Sequence, residues 1–194
     1  GLGLANEVFT EDNLQLLLGN IGISHNRYPT HGGFSHGEIQ PVWTSVPYGI
    51  AIAHNGQITN YDELVEEVTG EGQRYLNTTS DTEVLLHIFA EELRKNGNPK
   101  TSEEFFDLLC GALTTVFSKV RGAYSVTGIV IGKGLFAFRD PRGIRPLVKG
   151  ERSNGNGGKD YIFASENTMF YSMGYESKGN VLPGELIYVD NDGK

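Results

Sequence analysis

The sequence predicts an α+β fold with antiparallel sheet, and three observations lead to that prediction. Between residues 80 and 119, two apolar runs at helical spacing each follow a Ser or Thr with Glu three places later. From residue 122 onward the pattern changes to short alternating runs rich in β-branched residues, separated by Gly and Pro. Helices and strands are thus grouped along the chain rather than alternating, which argues against a βαβ architecture.

Bulk properties set the class of protein. The 194 residues suffice for one sizeable domain, and the net charge is −8. An acidic chain has no general attraction for phosphate backbones, so we expect no nucleic-acid partner. No apolar run is long enough to cross a bilayer, so we expect no membrane partner. The single cysteine, Cys110, excludes an internal disulfide and favours a reducing, cytoplasmic location.

The first fifty residues contain weak element signals. Thr10 is expected to cap a short helix with Leu14, Leu17 and Leu18 on one face. Residues 21–24 read as a short strand, followed by a loop at 25–33, and residues 41–46 read as extended chain.

The segment GIAIAHNGQITNYDEL, residues 49–64, is the most informative one. An apolar run at 49–53 predicts a buried strand that stops at His54-Asn55-Gly56, before a helix capped by Asn60. Asn-Gly is the strongest short hairpin signal. Asn55 also offers an amide donor and Gly56 an accessible backbone N–H, which together could form an oxyanion hole for acyl transfer.

The remaining elements follow from clearer patterns. Capping boxes at Ser80–Glu83 and Thr101–Glu104 predict two helices, the first reaching residue 95. Further expected elements are strands at 123–131, 135–139, 146–149, 161–164 and 185–189, a loop at 153–160 and a short helix near 167–173.

Two charged residues could complete a site for a free amino acid. Arg27 could pair with an α-carboxylate, although an isolated loop arginine is more often a surface residue. Asp81 could bind an α-ammonium group, although a carboxylate in the first turn of a helix also stabilises that helix. Together with Asn55 and Gly56 they would hold a zwitterion whose side-chain amide faces the oxyanion hole.

Several motifs give the chain a resemblance to a known family. They are HNRYPT (25–30), AHNG (53–56), SDTEVLLH (80–87), RGAYS (121–125), RDPRGIRPL (139–147) and ASEN (164–167). In this order they resemble the glutaminase domain of class II, or N-terminal nucleophile (Ntn), glutamine amidotransferases. RYPT and RDPRGIRPL are typical of the branch that makes 5-phosphoribosylamine from phosphoribosyl diphosphate and glutamine, the first committed step of de novo purine synthesis.

The resemblance implies a four-layer αββα sandwich and a role for each site residue. Arg27 and Asp81 would bind the α-carboxylate and α-amine of glutamine, and Asn55 and Gly56 would form the oxyanion hole. Tyr28 and Thr30 would belong to a loop that closes over glutamine. For the RDPRGIRPL segment we expect a structural role near the site rather than direct catalysis.

The resemblance also implies that residues 1–194 are a partial domain. The family nucleophile is a cysteine at the mature N-terminus, and we expect the sandwich to be incomplete there. Cys110 falls on an apolar helix face, where a thiol usually packs as a small hydrophobe, so we do not expect it to substitute. The phosphoribosyltransferase domain, with its Mg²⁺, would be a missing partner of this domain. The parent protein would be a homo-oligomer. Residues 1–194 by themselves would be inactive and would contain no cofactor.

Two alternatives remain open from the sequence. One is the glutaminase domain of glucosamine-6-phosphate synthase, which shares similar AHNG and SDTE segments. The other is a catalytically inactive glutamine-binding or interaction domain, which differs only in the residue at the mature start.

Overall fold

The structure, a computed structural model, describes residues 3–26, 38–95 and 97–194. The helices found there are α1 (Ala5–Val8), α2 (Glu11–Gln15), α3 (Tyr61–Thr69), α4 (Asp81–Lys95) and α5 (Ser102–Lys119). The strands are β1 (Val42–Thr44), β2 (Ile50–Ile58), β3 (Gly122–Val130), β4 (Gly134–Arg139), β5 (Val148–Ser153), β6 (Lys159–Ala164), β7 (Glu176–Asn180) and β8 (Leu186–Asp190). A 3-10 turn covers Tyr171–Met173. Among the described helices, none has the length and apolar character needed to cross a membrane.

The strands form two antiparallel sheets. The larger has the order β1-β2-β3-β4-β8, and the smaller has the order β6-β5-β7. The β2–β3 pair is the longest, running without a shift from Ile50↔Val130 to Ile58↔Gly122. This long pairing fixes the position of every residue in the centre of the larger sheet.

Helices α3, α4 and α5 cover one face of the larger sheet. Alternate residues of its strands point to that face, where they join the helices in one buried cluster. Its centre is aromatic: the Phe136 and Phe138 rings lie parallel, and Phe89 of α4 packs against both. Gly128 leaves room for the Phe136 ring, since a Cβ there would lie 2.1 Å from it.

The smaller sheet lies against the opposite face of the larger one. Ala137, Leu147 and Val181 form a second buried cluster between the two, with Phe163 packed against it. Phe170 contacts the other face of the smaller sheet at Gly150. The layers are therefore helix, sheet and sheet, with the buried Phe170 packed on the outer face of the smaller sheet. The predicted α+β sandwich is confirmed.

Several sequence expectations for the first 65 residues were wrong. β2 does not stop at His54-Asn55-Gly56 but continues to Ile58, because β3 pairs with it along its whole length. Asn60 does not cap α3 with its side chain, which instead bonds to Lys119 O and Arg121 N at 2.9 and 2.8 Å. Residues 21–24 are not a strand.

Other expectations need smaller changes. Thr10 does cap α2, but α2 ends at Gln15, so Leu17 and Leu18 lie beyond it, and all three leucines, Leu14 included, are exposed. The Thr101 side chain accepts the Glu104 N–H as expected. The 167–173 helix is only the short 3-10 turn, and β7 was not predicted at all.

Candidate active site

A cleft opens along β2 beyond the start of β1. β1 begins at Val42, which pairs with Ile52, so the part of β2 after Ile52 has no strand partner on that side among the described residues. The cleft has a volume of about 590 Å³. Its described lining includes His25, Gln40, His54, Asn55, Gly56, Tyr61, Asp81 and Arg145.

Three backbone N–H groups of β2 face this cleft. The bonds Thr59 N–H to Arg121 O and Ile131 N–H to Gly49 O show that odd-numbered β2 residues pair with β3. Even-numbered residues therefore turn their N–H groups toward the open edge. That of His54 is accepted by Gln40 Oε1 at 2.7 Å, and that of Ile58 by Asp81 Oδ2 at 3.1 Å. The Gly56 N–H lies between them, and no described residue accepts it.

Gly56 can occupy this position because it has no side chain. Its φ is +144°, and a Cβ would lie 1.9 Å from the backbone oxygen of Ala123 on β3. Any other residue would push the two strands apart. The free amide is therefore a product of tight pairing on one side of β2 and no pairing on the other.

The Asn55 side chain supplies a second donor beside it. Asn55 Oδ1 lies 2.9 Å from His25 Nε2. When that ring nitrogen carries the hydrogen and donates it, the carbonyl end of the Asn55 amide is occupied and its NH₂ group is free to donate. Two neutral donors from consecutive residues then point into one cleft, which is the arrangement found in an oxyanion hole.

Asp81 supplies the negative charge of the cleft. It is the first residue of α4, and its side chain is 26% exposed. Burial alone would raise its pKa. The His54 side chain, whose Nδ1 lies 3.6 Å from Oδ1, and the N–H groups of Ile58 and Thr82 outweigh burial, so the pKa is lowered from its ordinary value. Asp81 is thus an anion at neutral pH and can bind a cation.

His54 is a buried support for Asp81 that sequence reasoning did not single out. Its Nδ1 lies 3.1 Å from Thr82 Oγ1, so the ring contacts two consecutive residues of the first turn of α4. The backbone N–H of His54 is also the group that donates to Gln40 Oε1. His54 therefore links the strand that carries the donors to the helix that carries the carboxylate.

The structure brings together three of the predicted site residues: Asn55, Gly56 and Asp81 all line the cleft. Arg27, Tyr28 and Thr30 lie outside the described residues. Cys110 does not line the cleft; it lies on α5, where burial and the nearby Asp107 charge raise the pKa of its thiol. A raised pKa disfavours the thiolate that a nucleophile requires.

The lining residues that sequence reasoning missed include four with side-chain chemistry relevant to the site: His25, Gln40, His54 and Arg145. Two of them gave a usable signal, because His25 begins the HNRYPT motif and His54 stands directly before Asn55. Gln40 gave none, since its role depends on where β1 begins. Arg145 belongs to the RDPRGIRPL segment, for which only a structural role was expected.

Comparison with known proteins identifies the class to which this fold and site belong. A family model described as "Glutamine amidotransferase domain" matches residues 25–172. The chain therefore belongs to the glutamine amidotransferase domain family.

Two similar proteins have the same enzyme name. The chain is 42% identical to the amidophosphoribosyltransferase of Escherichia coli over 193 residues, which are 99% of this chain and 37% of that enzyme. It is 42% identical to the amidophosphoribosyltransferase of Saccharomyces cerevisiae, covering 97% of this chain and 36% of the enzyme. The chain thus spans little more than a third of the length of these relatives.

A solved structure agrees with the sequence relatives. The glutamine phosphoribosylpyrophosphate amidotransferase of B. subtilis, in complex with ADP and GMP, superposes with a TM-score of 0.65 at 28% identity. The match covers 87% of this chain and 32% of that one.

Proposed function

We propose that this chain is the glutamine-hydrolysing part of an enzyme that makes 5-phosphoribosylamine from phosphoribosyl diphosphate and glutamine. The observation that carries the proposal is the cleft in which an anion, Asp81, stands beside two neutral donors on Asn55 and Gly56. The relatives favour this branch over glucosamine-6-phosphate synthase, because those reported above are amidophosphoribosyltransferases.

The geometry supports a division of labour within the cleft. The α-ammonium group of glutamine pairs with Asp81, which is held ionised by its surroundings. The side-chain carbonyl oxygen then lies at the Asn55 NH₂ and the Gly56 N–H. These donors stabilise the negative charge that forms on this oxygen when a nucleophile attacks the carbon.

The nucleophile belongs outside these 194 residues in this proposal, because Cys110 is remote from the cleft. A cysteine thiolate would attack the amide carbon, and the C–N bond would break as the nitrogen takes a proton and leaves as ammonia. Water would then hydrolyse the thioester to glutamate. We also place the phosphoribosyl diphosphate site, with any Mg²⁺ it needs, in another part of the parent protein.

The test uses the full-length protein that contains this chain. Asn55→Ala should lower kcat for glutamine hydrolysis by about 10²- to 10³-fold, the usual cost of losing one oxyanion donor. Asp81→Asn should raise KM for glutamine by about tenfold or more, because the substrate ammonium loses its counter-charge. Both are measured as glutamate released.

The control is Asn98→Ala, at an exposed asparagine outside the cleft. It should match the unmodified protein in both constants. Undiminished hydrolysis by Asn55→Ala, or a wild-type protein that releases no glutamate from glutamine, would contradict the proposal.

A further inference from the structure

Arg145 is the one lysine or arginine among the described residues that line the cleft. The same lining contains the carboxylates of Asp81 and Glu38. A free amino acid carries one positive and one negative group at its α-carbon. A cleft that binds it therefore needs a cation as well as the anion that Asp81 provides.

Arg145 is held in place by a rigid turn. The turn begins at Asp140, which is fully buried and accepts the backbone N–H groups of Arg142 and Ile144 at 2.9 and 3.1 Å. The Gly143 N–H bonds to the Asp140 carbonyl oxygen at 2.9 Å. On the other side, the Arg139 guanidinium donates to the Gly143 carbonyl oxygen. Both side chains thus fix the backbone just before Arg145.

The same aspartate ties this turn to the oxyanion donors. The Asp140 carboxylate accepts the Tyr124 N–H at 3.2 Å, and the Asp140 N–H donates to the Tyr124 carbonyl oxygen at 2.9 Å. Tyr124 is the β3 residue directly opposite Gly56. The turn that carries Arg145 and the strand that carries the donors are therefore linked through one residue of the central sheet.

The Arg145 side chain is available for a ligand. It is exposed, and no carboxylate among the described residues forms an ion pair with it. Three arginines elsewhere in the structure differ: Arg74 pairs with Glu91, Arg121 with Glu63, and Arg152 with Asp160. A guanidinium without a counter-charge, at the rim of a cleft with an anion inside, is suited to bind a carboxylate from solution.

We propose that Arg145 binds the α-carboxylate of the amino acid substrate, opposite Asp81, in addition to the role expected for Arg27. This inference rests on the proposed glutaminase function. It gives the RDPRGIRPL segment two tasks: Arg139 and Asp140 build the turn, and Arg145 contacts the substrate.

The experiment compares two substrates with the full-length protein. L-Glutamine carries the α-carboxylate, whereas L-glutaminamide has a neutral carboxamide in its place. Arg145→Ala should lower kcat/KM for glutamine by about 10- to 100-fold, through KM, as expected when a charged hydrogen-bond partner is lost. It should change kcat/KM for glutaminamide less than about threefold, because that substrate has no charge to lose. Arg145→Lys should recover part of the loss.

Arg142→Ala is the matched control, because Arg142 is an exposed arginine of the same turn that does not line the cleft. It should leave both substrates unchanged. An unchanged KM for glutamine in Arg145→Ala would overturn the inference while the proposed function stands, and so would equal losses on both substrates. If the wild-type protein does not hydrolyse glutamine, the proposed function fails. Calorimetric binding of L-glutamine to wild type and Arg145→Ala then decides the role of Arg145 separately.

Discussion

Gly56 shows how a site can depend on a residue that has no functional group. Its amide is available because β3 approaches so closely that no side chain fits, at a φ of +144° that other residues rarely adopt. The chemistry assigned to Gly56 and its place in the fold therefore have the same physical origin. A substitution there should damage both.

Gly56→Ala should lower the free energy of unfolding by about 2–4 kcal/mol, because it adds a steric clash to a strained backbone. Gly132→Ala is the control, since Gly132 also has a positive φ, +73°, but open space around its Cα. It should cost only about 1 kcal/mol. Urea denaturation of both variants measures the difference, and equal losses would show that the clash with Ala123 is relieved without cost.

At the scale of one element, the start of α4 is organised differently from the predicted capping box. Glu83 does not reach back to Ser80. Its two oxygens accept the backbone and side-chain donors of Asn77 and Thr78 at 2.7 to 3.0 Å. The Ser80 hydroxyl oxygen instead accepts the Thr82 N–H at 3.3 Å. Glu83 thus fixes the loop that precedes Asp81.

These bonds give stability a pH dependence. Burial raises the pKa of Glu83, but the four hydrogen bonds outweigh it and the pKa is lowered. A carboxyl with a lowered folded pKa stabilises the protein above its unfolded pKa, and this stability is lost as the pH falls through the folded value. Glu83→Gln should therefore cost about 1–3 kcal/mol at neutral pH.

The difference between wild type and Glu83→Gln should shrink as the pH falls below the ordinary glutamate range. Glu104→Gln is the control, because Glu104 holds the equivalent place in α5 but is exposed and accepts only the Lys100 N–H. It should change stability by less than about 0.5 kcal/mol. A pH-independent loss in Glu83→Gln would contradict the charge-based account.

On the scale of the whole molecule, the two sheets are joined near Asp140. Its carboxylate bonds to β3, its carbonyl oxygen accepts the Gly184 N–H at 3.0 Å, and the neighbouring Arg139 donates to the Val181 carbonyl oxygen at 2.6 Å. Val181 belongs to the small apolar cluster between the sheets. These polar contacts therefore supplement the apolar packing between the sheets.

Asp140→Asn should lower the free energy of unfolding by about 2–4 kcal/mol, since an amide cannot accept all three N–H groups as well as a carboxylate does. The control is Asp160→Asn, which removes an exposed pair with Arg152 and should cost less than about 1 kcal/mol. Guanidinium denaturation gives both values. Similar losses in the two variants would mean that the junction is not held by Asp140.

The sequence predicted well what depends on local pattern. α4 and α5 have strong apolar periodicity and began close to the expected residues, and α4 ended at the expected one. Asn55, Gly56 and Asp81 were found through short motifs and do share a cleft.

What it could not predict depends on distant contacts. The continuation of β2 past Asn55-Gly56 needs pairing with β3, which overrides the turn preference of that dipeptide. β7, with all five residues exposed, has no apolar alternation to detect. Arg145 lies at the cleft on a turn that Asp140 ties to Tyr124, sixteen residues earlier.

Because β1 begins only at Val42, the length of a neighbouring strand is a determinant of reactivity. If the register Val42↔Ile52 continued backward, residue 38 would come opposite Gly56 and its carbonyl would take the amide hydrogen. The Asn55 and Asp81 side chains would be unchanged, yet one of the two donors would be gone. Insertions or deletions just ahead of Val42, in a stretch that supplies neither the oxyanion donors nor Asp81, are therefore a route by which such a domain could be silenced.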